Sequence, residues 1–294
     1  MVVALALAVA VFYGAADFCG GLAARRASAL AVVVWSQATG LLVLLAALPL
    51  LPGAFSPSDL WVSAVCGVCG TFALSLLYRG LAIGVMGVVS PITAVLSAAL
   101  PVAWGIARGE RPAALALIGI AFALVAVVLV SAATPAPAEP AAPSAGENPA
   151  PPKRRSGIPP GIPEALGAGV AFGIFFTALA QAHAGAGLYP LLGTRVLSLV
   201  LLLGGACALR RPLRVARPRL PTLALCGVLD MGANVLYVLA AHAGPLSIVA
   251  VLSSLYPAAT VALAALVLRE RLVRAQWAGV AVAFAGVLCI SLAR

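Results

Sequence analysis

The sequence predicts an all-α integral membrane protein of ten transmembrane helices, arranged as two inverted five-helix repeats. Three observations predict it. Of 294 residues, 63% are hydrophobic and 9% charged, whereas soluble domains carry roughly 25% charged residues. Apolar runs near twenty residues recur along the chain, each the length that crosses a hydrocarbon layer of roughly 30 Å. The chain also repeats itself at an interval of 160. Glu110-Arg111 followed after seven residues by Gly119-Ile120-Ala121 returns as Glu270-Arg271 followed after seven by Gly279-Val280-Ala281. Ala64-Val65-Cys66-Gly67-Val68 returns as Ala224-Leu225-Cys226-Gly227-Val228, Phe12 falls opposite Phe172, and Tyr78 matches Tyr237 one residue out of step. A period that long is no solenoid, so two apolar copies point to a duplicated membrane domain.

In the first copy the apolar runs place spans near 2–22, 29–51, 60–80, 84–107 and 112–132. The second copy places them near 164–182, 188–209, 220–241, 244–267 and 274–292. Lipid-facing strands are excluded because the runs are continuous and lack the alternation a barrel needs. Met1-Val2-Val3 has no basic lead, and Tyr13 and Asp17 interrupt the first run, so the first span reads as a retained helix and not a cleaved signal. Between the copies, residues 133–163 hold ten of the 22 prolines and the cluster Lys153-Arg154-Arg155. A segment of that composition buries little apolar area and is expected to be a disordered linker. It separates a first repeat at 1–132 from a second at 164–294.

Five spans per copy is an odd number, so the second copy enters the membrane upside down relative to the first. That arrangement places a site near the bilayer midplane between the repeats. Fourteen of the eighteen basic residues fall at one side of the layer, including Arg25, Arg79, the linker cluster and Arg210 to Arg219, against Arg108, Arg111 and Arg294 at the other. The positive-inside rule makes the first side cytoplasmic and turns both termini outward in a multi-pass cell-membrane protein. The net charge of +10 does not indicate nucleic acid, because the basic residues sit at span ends and form no stripe with interleaved aromatics.

A carboxylate or guanidinium at the centre of a span costs about 2.5 to 3.5 kcal/mol, which several leucines at roughly −0.3 to −0.6 each offset. Such a residue inserts, but it faces the bundle interior or water and is a functional candidate. Asp17, Arg195 and Asp230 meet this description. Asp17 shares a face with Tyr13 at i−4, and Thr177 and Gln181 give the second copy's first helix its own polar pair at i and i+4. Asp230, Asn234 at i+4 and Tyr237 at i+7 share a face. Arg195 stands one turn from Ser198, while its counterpart in the first copy is Trp35, with Gln37 close by. Arg195 and Asp230 either pair with each other, which needs no substrate, or hold the two ends of a polar solute. Asp17 either reaches the interface or lines a cavity as an acceptor for a proton or a cationic group.

Spans 4 and 9 both carry Val-Leu-Ser-x-x-x-Pro, ending at Pro101 and Pro257, and Pro91 adds a second break in span 4. Each proline removes a donor and frees a carbonyl one turn earlier, so these are hinge candidates or fixed kinks. His183 and His242 fall at span ends and read as solvated or capping residues, and Glu110 and Glu270 as caps of the helices that follow them. Cys66-x-x-Cys69 lies inside an apolar span without a second pair or a histidine, which argues against metal. No phosphate loop, acidic metal motif or nucleophile-base set stands out, so neither a cofactor nor catalysis is expected.

Two five-helix halves, each with a proline-containing fourth helix, a Gly109-Glu110-Arg111 or Arg269-Glu270-Arg271 turn and a Gly-rich last helix, resemble the EamA-type branch of the drug/metabolite transporter superfamily. The resemblance implies a ten-helix inverted-repeat transporter working by alternating access, usually exporting amino acids, metabolites or drugs. It implies a role for Arg195, since members often carry an Arg in the second helix of a half, although Trp35 occupies the matching place here. Small relatives couple transport to protons through a first-helix carboxylate, which Asp17 resembles in placement, making it the proton-coupling candidate. The family is commonly described with cytoplasmic termini, opposite to the charge count. The expected function is a secondary transporter, an exporter of a small organic solute, with substrate contacts from Tyr13, Asp17, Gln37, Thr177, Gln181, Arg195, Asp230, Asn234 and Tyr237. A non-transporting membrane sensor or assembly partner is the alternative, favoured if side chains fill the centre, and a membrane-embedded enzyme on lipid-linked substrates stands behind it.

Overall fold

A computed structural model describes residues 1–24, 27–50, 53–54, 56–83, 86–132, 160–215, 217–267 and 274–292. Most of the expected linker, 133–159, and the Arg269-Glu270-Arg271 turn lie outside the described residues. The described chain is helical throughout: α1 (Val2–Ala24), α2 (Ala29–Ala47), α3 (Leu60–Ile83), α4 (Met86–Ala107), α5 (Ala114–Ala132), α6 (Ile162–Leu179), α7 (Tyr189–Ala208), α8 (Leu220–Ala243), α9 (Leu246–Ser253), α10 (Tyr256–Val267) and α11 (Arg274–Leu292). α1, α2, α3, α6, α7 and α8 are long and apolar enough to cross a membrane. Shorter described apolar segments lie in α4, α5, the α9–α10 pair and α11. These are the ten expected spans, with the ninth divided in two.

The division has a local cause. Pro257 stands second in α10 and cannot donate to the carbonyl one turn back. Ser254 Oγ meanwhile donates to the Val251 carbonyl at 2.7 Å, and the chain closes α9 through Ser254 N–H to Ala250 O and Leu255 N–H to Leu252 O. In α4 the residue matching Ser254 is Ala98, which offers no such competitor. Accordingly α4 runs unbroken through Pro91 and Pro101.

Helices of the two halves pack on each other in matched pairs. α1 lies against α8 as α3 lies against α6; α2 meets α8 as α3 meets α7; α1 packs on α9 and α10 as α4 packs on α6. Two repeated cysteines mark the match at atomic level. Cys66 on α3 donates to the Phe175 carbonyl of α6 at 3.4 Å, and Cys226 on α8 donates to the Ala16 carbonyl of α1 at 3.3 Å. Close approach depends on absent side chains. A Cβ on Gly119 would come within 2.7 Å of the Gly286 carbonyl, and one on Gly286 within 2.9 Å of the Gly119 carbonyl, so α5 and α11 meet backbone to backbone.

Contacts at the helix ends sort the connections into two faces. At one face Asp59 accepts from His183 N–H at 3.0 Å, Ala54 N–H donates to Gly185 O at 2.9 Å, and the α4–α5 turn reaches the start of α9. At the other, Arg79 pairs with Glu164 at 3.4 Å and the Trp35 indole donates to the Leu213 carbonyl at 3.1 Å. α3 begins at the first face and ends at the second, whereas α6 runs the other way.

The turn holding Glu110 corrects one expectation. Glu110 does not cap α5, the helix that follows it. Its carboxylate accepts from Leu246 N–H at 2.7 Å, Ser247 N–H at 3.1 Å and Ser247 Oγ–H at 2.6 Å, which caps α9 in the other half. The first-turn amides of α9 lack partners within their own helix, and the positive end of the helix dipole favours an anion there. His183 is a local cap as expected: its Nδ1 accepts from Gly185 N–H at 3.1 Å.

Candidate functional site

The polar residues of the span interiors converge where α1, α2, α3, α6, α7 and α8 meet. Arg195 of α7 and Asp230 of α8 form an ion pair through Nη2 and Oδ2, with side-chain exposures of 4% and 17%. The pair crosses α2, where Gly40 leaves the space: a Cβ there would lie 3.5 Å from the Arg195 guanidinium carbon and 3.3 Å from the Gly227 carbonyl. Asn234 is one turn along from Asp230, and its amide N–H donates to the Asp230 carbonyl at 2.7 Å. Gln37 of α2 is buried beside them.

Two small cavities open at this cluster, each of about 30 Å³. Tyr13, Gln37, Arg195, Asp230 and Asn234 line the first together with Thr194 and Ser198. Asp17, Ser97 and Tyr256 line the second, and Tyr13, Leu74, Phe172 and Asp230 belong to both. The Asp17 carboxylate has no hydrogen bond or ion pair among the described residues. The carbonyl oxygens of the Gln37 and Asn234 side chains are buried without a hydrogen-bond partner among the described residues.

An aromatic wall from α6 closes one side. Phe176 stacks with Phe172 at 6.0 Å between ring centres, meets Phe175 edge-on at 5.2 Å and Tyr13 edge-on at 5.7 Å, and lies 4.8 Å from the Tyr237 ring. Sequence reasoning passed over this wall, and over α3, which contributes Gly70, Leu74 and Leu77. The available signal was Phe172, Phe175 and Phe176 at i, i+3 and i+4 on one helix face, in a chain with only 6% aromatic residues.

Three expected contacts lie elsewhere. Tyr237 is fully buried in packing, its hydroxyl donating to the Phe176 carbonyl at 3.3 Å; it supports the aromatic wall from behind and lines neither cavity. Thr177 and Gln181 open onto a separate apolar groove between α3, α4 and α6, bounded by Trp61 and Trp104. Each bonds its own helix, Thr177 Oγ1 to Gly173 O at 2.7 Å and Gln181 Nε2 to Thr177 O at 3.3 Å. The rotation of α6 that turns its phenylalanines inward at Phe172 and Phe176 carries Thr177 and Gln181 outward. The Pro91 side chain lies outside the described residues.

A buried ion pair within the second half and a second carboxylate from the first half thus face two adjoining cavities, in keeping with the rule that ionised groups at membrane depth turn to the bundle interior. The EamA-like transporter family matches residues 1–132 and 159–292. The chain belongs to the EamA-like transporter family. Membership sets the coarse function, a multi-pass membrane transporter of small solutes. A solved structure described as "Crystal structure of protein" is similar in fold to this EamA-family chain over 97% of its length and 98% of the other's, with a TM-score of 0.69 and 16% identity. No curated protein matches in sequence.

Proposed function

We propose that this EamA-family protein is a secondary transporter that exports a small organic solute by alternating access. Its halves, 1–132 and 164–294, act as inverted repeats about the Arg195–Asp230 pair, joined by the linker at 133–163. The observation that carries this reading is the convergence of Tyr13 and Asp17 from one half with Arg195, Asp230 and Asn234 from the other around two adjoining cavities. The matched packing pairs and the opposed directions of α3 and α6 support the symmetry. In this role Arg195 and Asp230 exchange their mutual bond for bonds to the solute, Gln37 and Asn234 orient it, and the break at Pro257 lets the ninth span bend. Pro91 and Pro101 are the hinges of this reading within α4, which is unbroken in the present form. The positive-inside count places the Arg210 to Arg219 end in the cytoplasm and both termini outside.

Asp17 is the proton-coupling residue of this reading. The charged and titratable groups that face it are Tyr13 on its own helix, Tyr78 from α3, Cys226 and Asp230 from α8, Arg195 from α7 beyond them, and Tyr256 from α10. Asp17→Asn is expected to flatten the pH dependence of transport, and an unchanged profile removes Asp17 from that role. The test of transport itself is counterflow in proteoliposomes across amino acids, sugars and amines. No accumulation above empty vesicles for any solute refutes it. One observation favours the second reading, a non-transporting sensor or assembly partner: cavities of about 30 Å³ each have room for only a few waters. Transport therefore requires the halves to separate at the site, and a bundle that never opens is the outcome the counterflow assay detects.

A further inference from the structure

The polar groups of the central cavity are unbalanced in a way that specifies a ligand. Its guanidinium, Arg195, is already paired with Asp230. Its serine and threonine hydroxyls are spent on helix carbonyls, Thr194 on Pro190 at 2.8 Å, Ser198 on Gly67 at 3.1 Å and Ser97 on Ala94 at 2.9 Å, which leaves the Tyr13 and Tyr256 hydroxyls as the neutral hydroxyl donors. What is out of balance is two carboxylates, Asp17 and Asp230, against one guanidinium, together with two unpartnered amide oxygens. Gln37 and Asn234 are 3% and 4% exposed, and their side-chain carbonyl oxygens have no partner among the described residues. For Asn234 the assignment of oxygen and nitrogen follows from the geometry, because its N–H₂ is engaged by the Asp230 carbonyl at 2.7 Å. Asp17 adds a carboxylate with no cation beside it among the described residues. The rings of Tyr13, Phe172, Phe176 and Tyr256 line the cavity that Asp17 faces, and Tyr13 and Phe172 also line the adjoining one that Gln37 and Asn234 face.

Buried acceptors without donors are costly, and a ligand that supplies N–H groups recovers that cost. A positive charge answers Asp17 and is attracted by aromatic faces. An α-amino acid satisfies this surface poorly, since its carboxylate would be a third beside Asp17 and Asp230 with the single guanidinium of Arg195 to answer them. A quaternary ammonium supplies charge but no N–H. Resting on the transport reading above, we infer that the central site takes the protonated primary or secondary amine of an organic cation, selected over zwitterions by Asp17 and over quaternary ammonium ions by Gln37 and Asn234. The two cavities, of about 30 Å³ each, match the ammonium head, and the apolar body lies along the phenylalanines of α6.

Three probes that share one phenethyl body separate the possibilities: phenethylamine, its N,N,N-trimethyl derivative and phenylalanine, titrated calorimetrically against the purified full chain in micelles. Phenethylamine is expected to bind at least tenfold more tightly than either of the others. Asn234→Ala and Gln37→Ala are expected to bring the primary-to-quaternary ratio toward one, and Asp17→Asn to weaken both cations at least tenfold. Phenylalanine binding as tightly as the amine, equal binding of the primary and quaternary ions, or no binding of any probe overturns the inference. The comparison on the unmutated protein decides the class even where a variant fails to fold. Counterflow with the same compounds keeps the two readings apart. Exchange of phenylalanine without amine binding overturns the amine assignment and leaves transport standing, while amine binding without exchange of any probe upholds the assignment and removes transport.

Discussion

Removing the Glu110 carboxylate tests how the halves are fastened at one face of the bundle. Glu110→Ala deletes three hydrogen bonds at once, to Leu246 N–H, Ser247 N–H and Ser247 Oγ–H, and leaves the first turn of α9 uncapped. Loss of a helix cap costs about 0.5–2 kcal/mol, and a charge-assisted bond to a hydroxyl adds about 1.5. We expect Glu110→Ala to destabilise the protein by about 2–3 kcal/mol, and Glu110→Gln, which keeps an acceptor but loses the charge, by about half that. Gly105→Ala attacks the same contact from the other side, since a Cβ there would stand 2.5 Å from Glu110 Oε2. Reversible denaturation in mixed micelles, monitored by circular dichroism, reads all three. Because the contact joins α4–α5 to α9, the loss also shifts the balance between closed and open forms at that face. A shift of about 2–3 kcal/mol is roughly a 30- to 150-fold change in the ratio, which thiol labelling of a cysteine placed at the buried Val249, with the six native cysteines replaced, measures. Stability within about 0.5 kcal/mol of the parent, with unchanged labelling, refutes the reasoning.

Arg195→Ala strands Asp230 in a largely buried place and is expected to cost about 3 kcal/mol, whereas Arg195→Ala with Asp230→Asn recovers most of the loss; the double-mutant cycle is read by the same denaturation. Gly14→Ala sets a Cβ 2.6 Å from both Ala259 Cβ and the Tyr256 carbonyl, pushing α1 off α10 at a cost of about 1–3 kcal/mol. Pro257→Ala restores a donor for the carbonyl one turn back and is expected to join α9 to α10, lowering the counterflow rate severalfold while leaving equilibrium binding unchanged.

The helices were legible because the bilayer leaves few choices: continuous apolar runs near twenty residues must be helices, and α3 and α8 extend only a few residues past the expected spans. The convergence of Asp17, Arg195 and Asp230 was legible for the related reason that an ionised side chain avoids lipid. Which way each apolar helix is turned was not. A helix hydrophobic on every side carries no periodic mark of its inner face, so Thr177 and Gln181 read as cavity residues although α6 presents its phenylalanines instead. Tyr237 was misread on the same ground, because sharing a face with Asp230 does not say whether a neighbouring helix covers it. Glu110 shows the limit of local signals: an acid in a turn is recognisable as a cap, but the amides it caps belong to a helix 136 residues away.

The interleaving of the halves bears on how the protein is made. α1 has its main neighbours in α8, α9 and α10, and α3 in α6 and α7, while α1, α2 and α3 touch one another sparsely. The leading five helices therefore leave the ribosome before the surfaces that will cover them exist. At roughly 5–20 residues per second they wait on the order of ten seconds with Asp17 unsheltered in the lipid phase. Assembly is thus a late event, completed by the trailing half.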